Sequence, residues 1–247
     1  MATEIPFIEI ENLSKDFGKF RALDRLSLQI NQGEIFGFLG PNGAGKTTTI
    51  RLLMGMLVPS EGRARVCGLD SHKDRVEVKR LVGYLPDNPT FYDYLRGVEI
   101  LRFVGQMQGL KGQELEQNIS GLLSQFSLTD AALEFAVNYS AGMKRKLAFA
   151  CAIIHKPQIL ILDEPTTGLD PHASRDVVNI ILSYAQEGKT VFLSSHLLNI
   201  VEKLCHRVGI IDHGRLLTVG KPTELENNLC PGGSLEDVFF TVTREES

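Results

Sequence analysis

The sequence predicts an α/β fold with a core of buried parallel strands, an antiparallel strand-rich edge and an inserted helical subdomain. Continuously apolar runs, typical of strands buried on both faces, occur at residues 35–39, 159–162 and 191–193. Apolar and polar side chains alternate at residues 7–10 and 26–30, as they do in half-buried antiparallel strands. From about residue 94 to 154 the sequence is rich in Leu, Gln and Glu, which favours helices.

The 247 residues suit one domain, residues 1–247, with a single α/β core. No internal repeat or Pro-rich linker sets the helical segment apart, so we expect an insertion over approximately residues 90–155. Glycines 109, 112 and 121 predict turns within it. A helix is expected over residues 48–57, and a short C-terminal tail over approximately residues 221–247.

Composition and charge exclude several classes of protein. The 43% apolar and 23% charged residues are ordinary for a globular chain and argue against long disorder. A formal net charge of −4 provides no basic field for a phosphate backbone, so no nucleic-acid partner is predicted.

Neither a membrane span nor a secretory signal is predicted. The longest uninterrupted apolar run, residues 147–154, falls far short of the roughly 18 residues that cross a bilayer. Residues 1–6 contain no basic segment followed by an apolar core, so the expected location is the cytoplasm. The four cysteines form no Cys-x-x-Cys pair, which favours reduced thiols over a zinc site or disulfides.

Residues 40–47 read Gly-Pro-Asn-Gly-Ala-Gly-Lys-Thr and match the phosphate-binding loop G-x-x-x-x-G-K-[ST], between a predicted strand and a predicted helix. The glycines let backbone N–H groups turn toward phosphate oxygens, and the helix adds the positive end of its dipole. Lys46 is expected to bridge the β- and γ-phosphates of a nucleotide, and the Thr47 hydroxyl to bind Mg²⁺. The candidate nucleotide-binding residues here are Gly40, Pro41, Asn42, Gly43, Ala44, Gly45, Lys46, Thr47 and Thr48.

A pair of carboxylates follows the apolar run at residues 159–162. Ligands bind at the carboxyl ends of strands in open α/β sheets, which is where Asp163 and Glu164 are predicted to lie. Asp163 fits the residue that holds Mg²⁺, and Glu164 fits the base that orients and deprotonates the attacking water. A surface Asp-Glu turn before Pro165 would be the structural alternative, but the phosphate loop upstream favours the catalytic interpretation.

Together with further motifs, these features resemble the ATP-binding cassette (ABC) ATPases over nearly the whole chain. Residues 140–144, Ser-Ala-Gly-Met-Lys, resemble the family's signature Leu-Ser-Gly-Gly-Gln, although Tyr139, Ala141 and Met143 depart from it. Ser140 and Gly142 are kept, and the resemblance assigns them to the γ-phosphate of ATP at a helix N-terminus.

Three other positions take their expected roles from this resemblance. Residues 168–171, Gly-Leu-Asp-Pro, resemble the D-loop that crosses between partner subunits. His196, after Ser194-Ser195, is placed as the switch histidine on the γ-phosphate, although a lone His at a strand end is usually structural. Phe17 matches the aromatic residue that stacks on adenine, with a place in the core as the alternative.

Asp87 stands where the family usually has the Gln of its Q-loop. An ionised Asp is shorter and only accepts hydrogen bonds, so it could bind Mg²⁺ but would position water differently. This acidic residue, Tyr139 before the signature Ser, and the tail at residues 234–239 resemble the type-2 exporter branch. Export is therefore expected over import or non-transport work.

The resemblance implies an ATP-hydrolysing subunit with a P-loop NTPase core that pairs with a second ABC ATPase subunit around two ATP molecules. Homodimer and heterodimer stay open. Separate integral membrane subunits would bind a groove near residues 84–94, where core packing is an equal alternative for Phe91, Tyr92 and Tyr94. The chain would then lie on the cytoplasmic side of a membrane. The alternatives are a P-loop kinase, a soluble ABC ATPase of DNA repair or translation, and an ATP-dependent structural switch.

Overall fold

The computed structural model describes residues 6–244, and the chain divides into two compact units. The first comprises Met1–Lys79 and Ile180–Ser247, and the second comprises Arg80–Asn179. Residues 1–5, on which the expected absence of a secretory signal rests in part, and residues 245–247 of the predicted tail lie outside the described residues.

The chain opens with three strands, continues with mixed strands and helices, and ends with two helices. In order they are β1 (Ile8–Phe17), β2 (Phe20–Ile30), β3 (Ile35–Leu39), α1 (Lys46–Leu53), β4 (Glu61–Val66), β5 (Leu69–Asp70), α2 (Arg75–Leu81), β6 (Val82–Leu85), α3 (Gly97–Met107), α4 (Gly112–Gln125), α5 (Ala141–Ile153), β7 (Ile159–Asp163), α6 (Pro171–Gln186), β8 (Thr190–Ser195), α7 (Leu198–Leu204), β9 (Arg207–Asp212), β10 (Arg215–Gly220), α8 (Pro222–Leu229) and α9 (Leu235–Arg244).

Two groups of strands build the first unit. An antiparallel sheet has the order β2, β1, β4, β5, and a second group has the order β10, β9, β3, β8, in which β3 lies parallel to both β8 and β9. All five residues of β3 are buried, as a continuously apolar strand covered on both faces should be. Phe192 of β8 packs against the rings of Phe36 and Phe38, with ring centroids 6.0 and 5.4 Å apart.

Helix α1 differs from its prediction at the C-terminal end. The expected span was residues 48–57, but the helix runs from Lys46 to Leu53. Gly55 follows in a left-handed conformation with φ of 62°, and its N–H donates to the carbonyl of Leu52 at 3.0 Å. A left-handed glycine closes the helix here, although the apolar pattern continues to Leu57.

The second unit pairs β6 with β7 in parallel and adds helices α3, α4 and α5. Every residue of β7 is buried. The rings of Phe126 and Phe149 meet with centroids 5.8 Å apart, at the end of α4 and within α5. This unit, Arg80–Asn179, is wider than the helical insertion expected at approximately residues 90–155, because it also holds β6 and β7.

One predicted turn in this segment is wrong. Gly109 does follow α3 in a left-handed turn, and Gly112 is the first residue of α4, but Gly121 lies inside α4. The neighbouring Leu122 and Leu123 are buried, so tertiary packing holds the helix together through the glycine. Among the described residues, no helix is both long and apolar enough to cross a membrane.

Candidate functional site

The phosphate loop lies in the first unit, between β3 and α1 as predicted. Gly43 and Gly45 adopt positive φ angles of 84° and 110°, and Gly45 is the residue immediately before the helix. A side chain at Gly45 would be strained by this backbone and would meet Leu23 Cδ2 at 2.7 Å. The loop therefore needs glycine for its shape, and that shape leads directly into a helix N-terminus, where anions bind.

The Lys46 side chain packs back against the phosphate loop. Its side chain is buried, and its Nζ donates to the carbonyls of Gly40 at 2.6 Å and Pro41 at 3.2 Å. The ammonium is thus held over the same stretch of backbone whose N–H groups are expected to receive phosphate. This is the arrangement in which a point charge can act on phosphate oxygens.

A cleft of about 390 Å³ lies beside the loop in the first unit. Phe17 does not line it, and the Phe17 side chain is 48% exposed, with the Lys15 ammonium 5.1 Å from its ring centroid. The stacking role of Phe17 stays a prediction. The cleft is lined by Phe20, Arg21, Ala22, Pro41, Asn42, Gly43, Ala44, Asp212, His213 and Gly214.

Sequence reasoning missed Phe20 and His213, which line this cleft. Phe20 faces Phe17 in the register of the β1–β2 hairpin and is 64% exposed, which an apolar ring in a strand seldom is. His213 follows β9 in a tight turn with φ of 43°. The sequence signal was the His-Gly pair at residues 213–214, a turn signature between two strands.

In the second unit, Asp163 ends β7 and Glu164 follows it, as predicted. Both are buried, with 1% and 8% exposure, which is rare for carboxylates without a function or a partner. The Thr167 hydroxyl donates to Glu164 Oε2 at 3.2 Å. The backbone of Glu164 is left-handed, with φ of 51°. Strained backbone of this kind concentrates at active sites.

The signature residues lie at the start of α5. Ser140 is the N-cap, and its Oγ accepts the Met143 N–H at 3.2 Å. The predicted helix N-terminus is confirmed. Tyr139, which departs from the family signature, is 4% exposed and donates from its hydroxyl to the Ala131 carbonyl at 2.7 Å. This substitution therefore serves packing in the second unit.

The remaining predicted residues lie on loops. Asp87 is exposed after β6 in the second unit, and His196 is exposed after β8 in the first unit. Asp170 of the D-loop segment caps α6, because its Oδ1 accepts the N–H groups of His172 at 2.9 Å and Ala173 at 3.0 Å. The Ala173 N–H, more than that of His172, lowers the pKa of the Asp170 carboxyl. The roles of these residues toward ATP stay predictions.

The donor chemistry suits magnesium, because Thr47 offers a hydroxyl and Asp87 and Asp163 offer carboxylates, the hard oxygen ligands that Mg²⁺ prefers. Within residues 6–244 no three His, Cys, Asp or Glu side chains gather into a metal cage. All four cysteines lie in this part of the chain, and none of them is joined in a disulfide there.

Comparison with known proteins identifies the family. A family model described as ABC transporter matches residues 23–167, more than half of the chain. The chain belongs to the ABC transporter family. The predicted family and its P-loop fold are thereby confirmed.

Relatives of this cassette are similar over most of its length. The chain is 36% identical to the "Probable multidrug ABC transporter ATP-binding protein YbhF" of Escherichia coli (strain K12), over 96% of this chain and 42% of that protein. It is 38% identical to the "Daunorubicin/doxorubicin resistance ATP-binding protein DrrA" of Streptomyces peucetius, over 90% of this chain and 67% of that protein. The cassette thus spans less than half the length of YbhF.

A solved structure described as "Structure of ATP binding subunit of ABC transporter" is 29% identical and superposes with a TM-score of 0.90, over 96% of this chain and 99% of that one. The dimeric post-hydrolysis state of the cassette MJ0796, bound to ADP and Pi, is 21% identical with a TM-score of 0.79, over 87% and 98%. The second likeness supports the fold alone.

Proposed function

We propose that this chain is the ATP-hydrolysing subunit of an ABC exporter, and that it closes around two ATP molecules with a second cassette. The observation that carries the proposal is the buried carboxylate of Glu164, held at the end of β7 next to Asp163. A buried acidic pair at this place suits hydrolysis better than passive nucleotide binding, since a structural switch has no need of a base.

Phosphoryl transfer demands mainly positioning and charge stabilisation. In this proposal Lys46 and the loop N–H groups hold the phosphates, Glu164 orients and deprotonates water, and His196 contacts the γ-phosphate. Ser140 and Gly142 of the partner subunit would complete the phosphate contacts. Thr47, Asp163 and Asp87 would hold Mg²⁺, which neutralises charge on the phosphate oxygens when bound.

Export is supported by the relatives' names, which include drug-resistance proteins and the "Nod factor export ATP-binding protein I" of Sinorhizobium fredii, 40% identical over 88% of this chain and 64% of that protein. Separate integral membrane subunits would contact the cassette on the cytoplasmic side of the membrane. Tyr92 and Tyr94 are candidate contacts, because they are 76% and 82% exposed, which favours a binding surface over core packing.

The experiment that tests hydrolysis replaces Lys46 by Ala. Losing the cation at the phosphates should lower ATP turnover by about 10²–10³-fold, with ATP binding weakened as well. Arg51→Ala is the matched control, since Arg51 is an exposed cation on the same helix. Phosphate release and ATP affinity are measured for both variants, with circular dichroism to show that they fold. Parental turnover by Lys46→Ala would refute the site.

The transport assignment has its own test. Affinity purification of the tagged chain from detergent-solubilised membranes should recover an integral membrane protein in stoichiometric amount. Replacing Tyr92 and Tyr94 by Ser should reduce that recovery while leaving ATP affinity unchanged. Recovery of no membrane protein with an active ATPase would favour the soluble alternative.

A further inference from the structure

A buried cation in the second unit is not among the residues assigned to ATP or Mg²⁺. Arg145 lies on α5 and is 4% exposed. Its Nε donates to the Pro165 carbonyl at 3.2 Å, and its Nη1 donates to the Pro86 carbonyl at 3.1 Å. Nη1 also donates to the carbonyl of Asp87, and Nη2 donates to the carbonyl of Glu164. One guanidinium therefore joins the segment after β6 to the segment after β7.

The four acceptors are all main-chain carbonyls, so the Arg145 side chain holds the backbone of these two segments. A guanidinium carries five N–H donors in a rigid plane, and four carbonyls here use that fork. Burying a charge is costly unless it is hydrogen-bonded, and these bonds meet that requirement. A Lys at this position would offer three donors on a flexible stem and could not hold the same set of carbonyls.

The Glu164 backbone is the part that most needs such support. Its left-handed φ of 51° is a conformation that a non-glycine residue keeps only where its surroundings hold it. Its carbonyl accepts two donors, the Thr167 N–H at 3.2 Å and the Arg145 guanidinium. The Glu164 backbone also sets the direction of the Cα–Cβ bond, from which the side chain extends.

The surrounding carboxylates favour the charged form of the guanidinium. Burial lowers the pKa of Arg145, and the carboxylates of Asp87, Asp163 and Glu164 raise it in opposition. An Arg stays protonated in proteins, so the group is a permanent cation among three carboxylates assigned to metal and water.

We propose that Arg145 is a positioning residue for hydrolysis, which holds the Glu164 backbone in its left-handed conformation and ties it to the Asp87 segment. The inference rests on the proposed role of Glu164 as the base. Any movement of the Asp87 segment would then be passed to the catalytic carboxylate through one side chain. ATP binding itself should not depend on Arg145, because the phosphate loop belongs to the other compact unit.

The test compares the kcat and the ATP affinity of the Arg145→Lys variant with those of the parent protein. Both are measured in the form of the protein that hydrolyses ATP. Misplacing a catalytic group costs about 10–100-fold, so kcat should fall at least about tenfold while ATP affinity stays within about twofold. Lys146→Ala is the matched control, because Lys146 is the next residue on α5 and pairs with the exposed Asp176 at 3.5 Å. This control should keep parental kcat.

A double variant separates positioning from a merely structural role. If Arg145 acts through Glu164, Arg145→Lys should add no further loss to Glu164→Gln, measured as residual hydrolysis of radiolabelled ATP. Parental kcat in Arg145→Lys, or a further tenfold loss in the double variant, would overturn the proposal. Parental turnover in Glu164→Gln would instead overturn the proposed function.

A second substitution guards against loss of fold. Arg145→Gln keeps part of the side-chain length and hydrogen bonding without the charge, and circular dichroism reports whether each variant folds. Either folded variant should show the fall in kcat without a change in affinity. Failure of both to fold would assign Arg145 to structure alone and would contradict the positioning role.

Discussion

At the scale of single residues, acidic side chains are placed by different means. Glu164 is buried, left-handed and bonded to Thr167, whereas Asp87 is exposed and held through its backbone carbonyl. Rigid placement suits a base, which must meet one water in one orientation. An exposed carboxylate suits a ligand that engages when substrate and metal arrive.

The Asp87 side chain should therefore matter for turnover more than for affinity. Asp87→Ala is expected to lower kcat about tenfold or more, with ATP affinity changed little, since the phosphate loop supplies the main contacts. Asp93→Ala is the control, because Asp93 is another exposed acid in the same loop. Steady-state hydrolysis and equilibrium ATP binding measure the two effects. Unchanged kcat would mean that Asp87 does not act at the site.

At the scale of elements, packing decides where glycine is required. In β6, a Cβ on Gly83 would lie 2.3 Å from the Ala152 carbonyl of α5 and 2.8 Å from Leu160. The strand and helix thus approach closely at this point. In α4, a Cβ on Gly121 would meet nothing within 4 Å.

These two glycines provide a matched pair for stability. Gly83→Ala should destabilise the protein by about 1–3 kcal/mol through overpacking. Gly121→Ala should stabilise it by about 0.5–1 kcal/mol, because Ala favours a helix interior. Urea unfolding followed by circular dichroism gives both values. If both substitutions changed the free energy of unfolding in the same direction, the packing between β6 and α5 would not be as described.

Sequence patterns predicted those elements that short-range chemistry determines. The bounds of β3 and the place of the phosphate loop follow from an apolar run and glycine spacing, and the helix N-terminus at Ser140 was expected from the family resemblance. The end of α1 was mispredicted because the left-handed Gly55 closes the helix while the apolar pattern continues, and the helical state of Gly121 was mispredicted because tertiary packing overrides the local turn signal. Arg145 was missed because its acceptors are backbone carbonyls distant in sequence.

At the scale of the whole molecule, the proposed function needs residues from both compact units. The phosphate loop and His196 belong to the first, and Asp163, Glu164 and Ser140 belong to the second. The central claim adds a second chain, since Ser140 is proposed to contact ATP bound by a partner. Blocking hydrolysis should then trap the pair, because a ligand shared by two chains stabilises their association.

The most direct measurement is the mass of Glu164→Gln in size-exclusion chromatography with light scattering, with and without Mg-ATP. Loss of the base should slow hydrolysis by about 10²–10⁴-fold, and ATP should then raise the mass from one chain to two. Adding Ser140→Arg should return the mass to one chain, because a bulky cation would block the partner's phosphate contact. Adding Ser124→Arg, at an exposed Ser of α4, should leave the mass at two chains. A mass of one chain for Glu164→Gln with saturating Mg-ATP, or of two chains with Ser140→Arg, would contradict the shared site.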